Sequence, residues 1–212
     1  MQIDKPKQVG VFGGSFDPVH LGHLWIAETA RETLELDQVR WIPTAQQPLK
    51  PDGAVASAAD RYQMVQLAIA GAKGHRADDC EIRRGEVSYT VETLQELRER
   101  IPEARLFLII GSDSLVSIRR WHQPERVLSL ATLAVVQRGG EPEIDFSALN
   151  DFCSSSQLEA IRNSVVRMPL IELSSSELRA RIAAGRSVRF RIPRAVEALI
   201  ADRQLYTPKK SK

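Results

Sequence analysis

Two of the chain's four histidines, His20 and His23, fall within one helical turn. They close the segment Gly13-Gly14-Ser15-Phe16-Asp17-Pro18-Val19-His20-Leu21-Gly22-His23. Side chains three apart share one face of a helix. Paired glycines ahead of them admit close backbone approach to a ligand. A helix N-terminus adds unpaired N–H groups and a partial positive charge, which together suit an anion and phosphate above all. The spacing is neither the glycine triad of dinucleotide-binding loops nor a Walker A loop, because no Gly-Lys-Ser follows. Zinc is the other chemistry a histidine pair suggests, but no third His or Cys stands at ligand spacing. Gly22, between the histidines, is expected to leave room for a bulky anion against the backbone.

Something must hold this loop in place, and the pattern around it alternates between strand and helix. Gln8–Phe12 reads as a short strand ending in the paired glycines, and Leu21–Leu34 as a helix with one polar face. Gln38–Ile42 is a second strand stopped by Pro43. Asp60 reads as the cap of a helix carrying Met64, Val65, Leu67 and Ile69. Ser88 or Thr90 opens a further helix that closes at Ile101-Pro102. The run Leu106–Ile110 is continuously apolar, as a central parallel strand covered on both faces must be. Thr132–Val136 repeats that pattern after a helix begun near Pro124. Val165–Leu173 reads as a weaker last strand, and Ser175–Ala184 and Pro193–Asp202 as helices. The stretch 139–163 is the least regular and is expected to be a surface excursion. Such alternation implies an α/β fold, a Rossmann-like doubly wound parallel sheet with a small C-terminal helical part. In such sheets ligands bind beyond the carboxyl ends of the strands, where the strand order reverses.

Composition sets the outer bounds. The chain has 212 residues, 43% hydrophobic and 26% charged, an ordinary globular balance with enough length for one sizeable core. Lys and Arg number 29 against 27 Asp and Glu, a formal charge of +2, which argues against a polyanion-coating role. Division at Arg179 changes that picture, since residues 179–212 hold ten basic and two acidic residues. That excess directly follows Ser174-Ser175-Ser176 and is consistent with a polyphosphate ligand. Cys80 and Cys153 form no paired spacing and are expected to be reduced thiols. The polar segment Met1–Lys7 lacks the apolar stretch of a signal peptide, and no apolar run approaches the roughly 18 to 20 residues needed to cross a bilayer. A cytoplasmic protein without membrane partners is expected.

Gly14 to His23 resembles the HxGH motif of the nucleotidyltransferase superfamily, and the whole chain from about residue 8 to Tyr206 resembles bacterial nicotinate-nucleotide adenylyltransferases. Further segments agree in order: Trp41-Ile42-Pro43 with Pro48-Leu49-Lys50, Arg61 with Met64, Ser88-Tyr89-Thr90, Gly111-Ser112-Asp113, Trp121 and Arg138-Gly139. Leu173-Ser174-Ser175-Ser176-Glu177-Leu178-Arg179 is similar to that family's ISSTxIR motif. HxGH alone indicates the superfamily; Ser-Tyr-Thr together with Gly-Ser-Asp and Trp121 narrows it.

The resemblance implies one adenylyltransferase domain over 1–212, with a nucleotide-binding core at 8–173 and a helical part at 174–207. It implies that ATP and nicotinate mononucleotide are the substrates and that Mg²⁺ rides on the ATP phosphates without dedicated protein ligands. His20, His23 and Arg179 are then the catalytic residues, Arg179 meeting phosphate in a fork that Lys cannot match. Gly13, Gly14, Ser15, Phe16, Gly22, Gly111, Asp113, Ser174, Ser175 and Ser176 would bind ATP, Asp113 through a ribose hydroxyl. Ser15, Lys50, Tyr89, Thr90 and Trp121 would bind nicotinate mononucleotide, with Trp121 stacked on the pyridine ring. Three positions depart from the family pattern: Ser176 replaces a Thr, Leu49 a His, and Gly140 a Pro.

Other readings give different tests. Phosphopantetheine or nicotinamide-nucleotide adenylyltransferases share the superfamily, and a catalytically idle nucleotide sensor could share the fold. The pairs Arg83-Arg84 and Arg119-Arg120 come with no RNA-binding motif, so no nucleic-acid partner is expected. The sequence leaves monomer and homodimer equally open.

Overall fold

A computed structural model describes residues 6–46, 53–85 and 87–208. Six parallel strands form one sheet: β1 (Gln8–Gly14), β2 (Gln38–Pro43), β3 (His75–Ala77), β4 (Arg105–Gly111), β5 (Thr132–Arg138) and β6 (Val166–Met168). Their order is β3-β2-β1-β4-β5-β6. The chain works outward from β1 in one direction through β3, then returns to the middle to place β4 on the other side of β1. The order therefore reverses between β1 and β4, where Val11 stands opposite Leu108.

Side chains alternate across this sheet and feed two apolar layers. Phe107 and Ile109 of β4 join the first layer; Leu106, Leu108 and Ile110 join the second. The first layer is covered by α1 (Leu21–Thr33), α2 (Ala58–Ala68), α8 (Ser175–Ala183) and α9 (Arg194–Asp202), through residues such as Ala27, Met64, Leu178 and Leu199. The second is covered by α3 (Cys80–Arg84), α4 (Thr90–Arg100), α5 (Ser112–Val116), α6 (Pro124–Leu130) and α7 (Ser155–Arg162). The continuous apolar run of β4 is thus explained, because both its faces are covered.

Several expectations from sequence are corrected. The cap of α2 is Ser57, whose Oγ accepts from the Asp60 backbone N–H at 3.1 Å, so Asp60 lies in the helix's first turn. Of the two openings offered for α4, Thr90 is its first helical residue, with Tyr89 as the cap, and Ser88 lies outside it. The last strand is only Val166–Met168, three residues of the nine expected. The stretch 139–163 is more than an excursion: Ser154 caps α7, and Leu149 and Ile161 are buried in the second layer. The short elements β3, α3 and α5 were not anticipated, since three to five residues show no complete period.

The C-terminal helical part is as expected, with α8 and α9 on the first layer and Leu205 and Tyr206 packed against it. Much of its basic excess has structural partners. Arg181 donates twice to the Ser187 carbonyl, at 3.0 and 2.9 Å, and Arg203 pairs with Asp60 and Gln63. Among the described residues no helix is long and apolar enough to cross a membrane.

Candidate active site

Two hollows open at the carboxyl ends of β1 and β4 and share Thr44 in their walls. The first, about 520 Å³, is walled by the loop after β1, the start of α1, Arg138 at the end of β5, and the start of α8. The second, about 420 Å³, lies between β1, β4, α3, the start of α4 and the segment around Trp121.

The histidine pair forms one wall of the first hollow. His20 is the cap of α1, with φ −142° and ψ 170°, and His23 is three residues on. Their rings stack at 3.7 Å with an interplanar angle of 24°. The His20 backbone N–H donates to His23 Nδ1 at 3.2 Å, which leaves the His23 proton on Nε2. The edge of Phe16 meets the His23 ring at 5.1 Å, and Phe16 in turn packs on Phe12 and Trp41. Burial, then the nearby Arg138 guanidinium, lowers the His20 pKa to about 4. Burial, His20 and Arg138 hold His23 well below the usual imidazole range. Both rings are therefore neutral hydrogen-bond donors at neutral pH. His20 Nδ1 is sealed from solvent and has no partner among the described residues.

The glycines act differently from the expectation. The space above Gly22 is filled by the His20 ring: a Cβ there would lie 3.0 Å from His20 Nδ1 and 3.1 Å from its Cε1. Gly22 seats the His20 ring and leaves no room there for an anion. Likewise the Phe16 ring lies over Gly14, 3.1 Å from where a Cβ would stand. Gly13 has open space over it, but on the side of the second hollow.

Asp17 ties the loop to three distant segments. Only 2% exposed, its carboxylate accepts from the backbone N–H groups of Val55 at 2.7 Å and Ala56 at 3.0 Å, and from the Tyr206 hydroxyl at 2.7 Å. Its carbonyl accepts from Arg179 Nη1 at 2.8 Å, while the same guanidinium lies 3.7 Å from its carboxylate. Arg61, 1% exposed, donates to the carbonyls of Ser15 at 2.8 Å, Ala56 at 3.2 Å and Ala45 at 3.3 Å. A buried cation bonded to three carbonyls fixes the loop backbone that would face phosphate.

On α8, the Ser174 Oγ accepts from the Glu177 N–H at 3.1 Å as the cap, and the Ser175 hydroxyl donates to the Pro18 carbonyl at 2.9 Å. Ser175 thus ties α8 to the histidine loop, while Ser174 caps the helix. What they leave for an anion is the first-turn N–H groups of Ser175 and Ser176, which have no intrahelical acceptor. Arg179 keeps part of its fork on Ser176 Oγ, at 3.4 Å.

The second hollow has a helix N-terminus with an aromatic neighbour. Tyr89 and Thr90 start α4 there, and Trp121 lines the same space, partly buried against the second layer. His122 tilts over Tyr89 with ring centroids 4.5 Å apart. Gly111 and Asp113, assigned to ATP from sequence, line this second hollow. Asp113 Oδ1 accepts from the Ser114 N–H at 2.9 Å and lies 2.5 Å from where a Gly111 Cβ would be, so a side chain at 111 would displace the Asp113 carboxylate. Glu81 also faces this hollow and is 5% exposed.

Ser15, His20, Gly22, His23, Ser174, Ser175, Ser176 and Arg179 are therefore gathered at the first hollow, and Gly13, Tyr89, Thr90, Gly111, Asp113 and Trp121 at the second. Lys50 lies outside the described residues. Sequence reasoning gave no role to Asp17, Arg61, Arg138, Tyr206, Glu81 or His122. Arg61 and Arg138 lay in segments matching the family pattern and Asp17 in the loop itself; Glu81, His122 and Tyr206 had no comparable signal. Among the described residues no group of three His, Cys, Asp or Glu comes together to hold a metal ion. The donors of the first hollow are imidazole N–H, guanidinium and backbone N–H, a set suited to phosphate oxygens.

The cytidylyltransferase-like family model matches residues 11–181. A Rhodopirellula baltica protein named as a probable nicotinate-nucleotide adenylyltransferase is 52% identical over 198 residues, 93% of this chain and 92% of that protein. A Herpetosiphon aurantiacus protein of the same name is 43% identical over 200 residues, 94% of this chain and 98% of that one. Among solved structures, the Plasmodium falciparum nicotinic acid mononucleotide adenylyltransferase complexed with NaAD has the same fold, with a TM-score of 0.71 at 19% identity over 94% of this chain and 97% of that one. The strand order, the stacked histidines on α1 and these matches over nearly the whole length place the chain in the cytidylyltransferase-like family, among its nicotinate-nucleotide adenylyltransferases.

Proposed function

We propose that the chain transfers AMP from ATP to nicotinate mononucleotide, releasing pyrophosphate and forming nicotinate adenine dinucleotide. The observation that carries this is the pair of hollows that share Thr44 in their walls, one lined by phosphate-type donors and the other by Trp121 and the N-terminus of α4. An acceptor phosphate from the second would meet a triphosphate in the first beside Thr44.

The nucleophile is an oxygen of the acceptor's own phosphate, already largely ionised at neutral pH because its second pKa is about 6. It forms a bond to the α-phosphorus of ATP as the bond to the β-phosphate oxygen breaks, and pyrophosphate leaves with that electron pair. No general base is needed, so the protein supplies position and charge stabilisation. His20 and His23 would donate to the reacting phosphate, each neutral and so without the cost of losing a proton. Arg179 and the α8 N-terminus would hold the β- and γ-phosphates, and Arg138 adds positive potential across the hollow. Thr90 and Tyr89 would receive the nicotinate carboxylate at the start of α4, with Trp121 against the ring and Asp113 on a ribose hydroxyl.

The reaction uses a divalent cation, which we take to be Mg²⁺ carried in on the triphosphate; when bound it neutralises charge developing on the leaving group. In this reading residues 1–212 serve as one adenylyltransferase domain, working in the cytoplasm with residues 174–207 as its phosphate-binding arm.

Product analysis tests the assignment. ATP labelled at the α-phosphate, incubated with nicotinate mononucleotide, should pass its label to the dinucleotide, while γ-label appears in pyrophosphate. Label that stays in ATP, or passes to ADP, would rule the reading out.

A further inference from the structure

The second hollow contains a carboxyl group with no place in the chemistry above. Glu81, on α3, is 95% buried. The Thr93 hydroxyl donates to its Oε1 at 2.7 Å, but its Oε2 is sealed from solvent and has no partner among the described residues. Thr93 stands three residues after Thr90, on the same face of α4 as the proposed carboxylate-binding N-terminus. Nicotinate therefore brings its negative charge into a small space that already holds an acid.

An ionised carboxylate with a bare oxygen in a dry site is far costlier than a neutral acid with one unmade hydrogen bond. A second negative charge in the same hollow raises that cost, as in any pair of carboxyls sharing one site. From this geometry we infer that Glu81 is a specificity-determining positioning residue for the acceptor: nicotinate binds with Glu81 protonated, and acceptor capture is coupled to that proton. The inference rests on the proposed reaction and adds to it how the acidic ring substituent is accommodated.

The charged surroundings agree. Burial pushes the Glu81 carboxyl above its usual range, opposed by the Thr93 bond, Arg84 and the Ala45 backbone and supported by Glu92. Arg84 is engaged elsewhere, with Glu96 at 3.0 Å and Glu92 at 3.5 Å. Arg61, from α2, is committed to its three carbonyls. Cys80, beside Glu81 on α3, has its thiol pushed up to about 12 and is neutral. Arg120 and His122 line the same hollow. No cation forms an ion pair with Glu81 among the described residues, and burial outweighs the groups that favour its ionised form.

The sign follows from linkage. Above the pKa of free Glu81 the acceptor must bring a proton with it, so its KM should rise by up to about tenfold per pH unit while kcat stays level. Nicotinamide mononucleotide has the same phosphate and the same pyridinium ring but a neutral amide in place of the carboxylate, and should show a shallower rise.

The test is calorimetric titration of the full chain with each mononucleotide, at each pH from 5.5 to 9, in two buffers of different ionisation enthalpy. The expected result is extra proton uptake, up to one proton, with nicotinate relative to nicotinamide mononucleotide. Glu81→Gln should abolish the difference and flatten the KM profile for nicotinate mononucleotide. Equal uptake for the two nucleotides at every pH, or an unchanged profile in Glu81→Gln, would overturn the inference. If that variant does not fold, the wild-type calorimetry decides alone. Failure of the parent reading looks different: neither mononucleotide would bind or support pyrophosphate release.

Discussion

Replacing Gly22 with alanine separates stability from catalysis at a single methyl group. Gly22 is the second residue of α1, and alanine there should stabilise the helix by up to about 1 kcal/mol through lower backbone entropy in the unfolded chain. The new Cβ, however, would stand 3.0 Å from His20 Nδ1 and 3.1 Å from Cε1, inside the about 3.5–4.0 Å of comfortable contact. The ring cannot absorb this by moving away freely, because on its other side it stacks on His23 at 3.7 Å. A displacement of roughly half an ångström is the expected compromise. Misplacing a catalytic group by 1 Å can cost about a hundredfold, so kcat should fall roughly tenfold. The assay is steady-state pyrophosphate release at saturating substrates, with thermal melting in parallel. Melting temperature should hold or rise while kcat drops. An unchanged kcat would show that the position of the His20 ring does not matter to the reaction, and the role given to it would fall.

Other consequences are equally direct. His23→Ala should lower kcat about 10²- to 10³-fold with little change in the KM for ATP, as expected for a donor that acts in the transition state; a rise in KM alone would reduce His23 to a ground-state contact. Tyr206→Phe removes one of the donors to the Asp17 carboxylate and should cost about 1.5 kcal/mol or more in urea unfolding; a change below about 0.5 kcal/mol would show that the latch from the chain's last turn does not hold the loop. His20 has a folded pKa of about 4, below the 6.5 of an unfolded histidine, so its burial stabilises nothing extra above pH 6.5 and is progressively penalised as pH falls towards 4. Between those limits the wild type should lose up to about 3 kcal/mol more than His20→Asn in denaturant titrations, and parallel curves would contradict the buried neutral ring.

What could be read in the sequence was what lies close together in it. The histidine pair was legible because cap and third residue of a helix share a face whatever surrounds them. β4 was legible because a strand covered on both faces has no polar positions. Gly22 was misread because the occupant of the space above it depends on which way the His20 ring turns, and spacing does not fix a rotamer. Asp60 was taken as a cap because it is a good one; Ser57, three residues earlier, takes that place and binds the Asp60 N–H. The loop's supports were illegible for a different reason. Tyr206 meets Asp17 across 189 residues of chain and Arg179 meets it across 162, contacts that only the closed sheet and the docked C-terminal helices create. Glu81 was overlooked because an acid next to Arg83 and Arg84 reads as a surface residue, until the fold buries it on α3 against the second hollow.

The choice of acceptor at the second hollow is the most direct test of the proposed reaction. Pyrophosphate release should be followed with Mg-ATP and, separately, nicotinate mononucleotide, nicotinamide mononucleotide and phosphopantetheine, and kcat/KM compared. Nicotinate mononucleotide should give the highest value and phosphopantetheine no turnover. Turnover with phosphopantetheine, or none with nicotinate mononucleotide, would contradict the account at its centre.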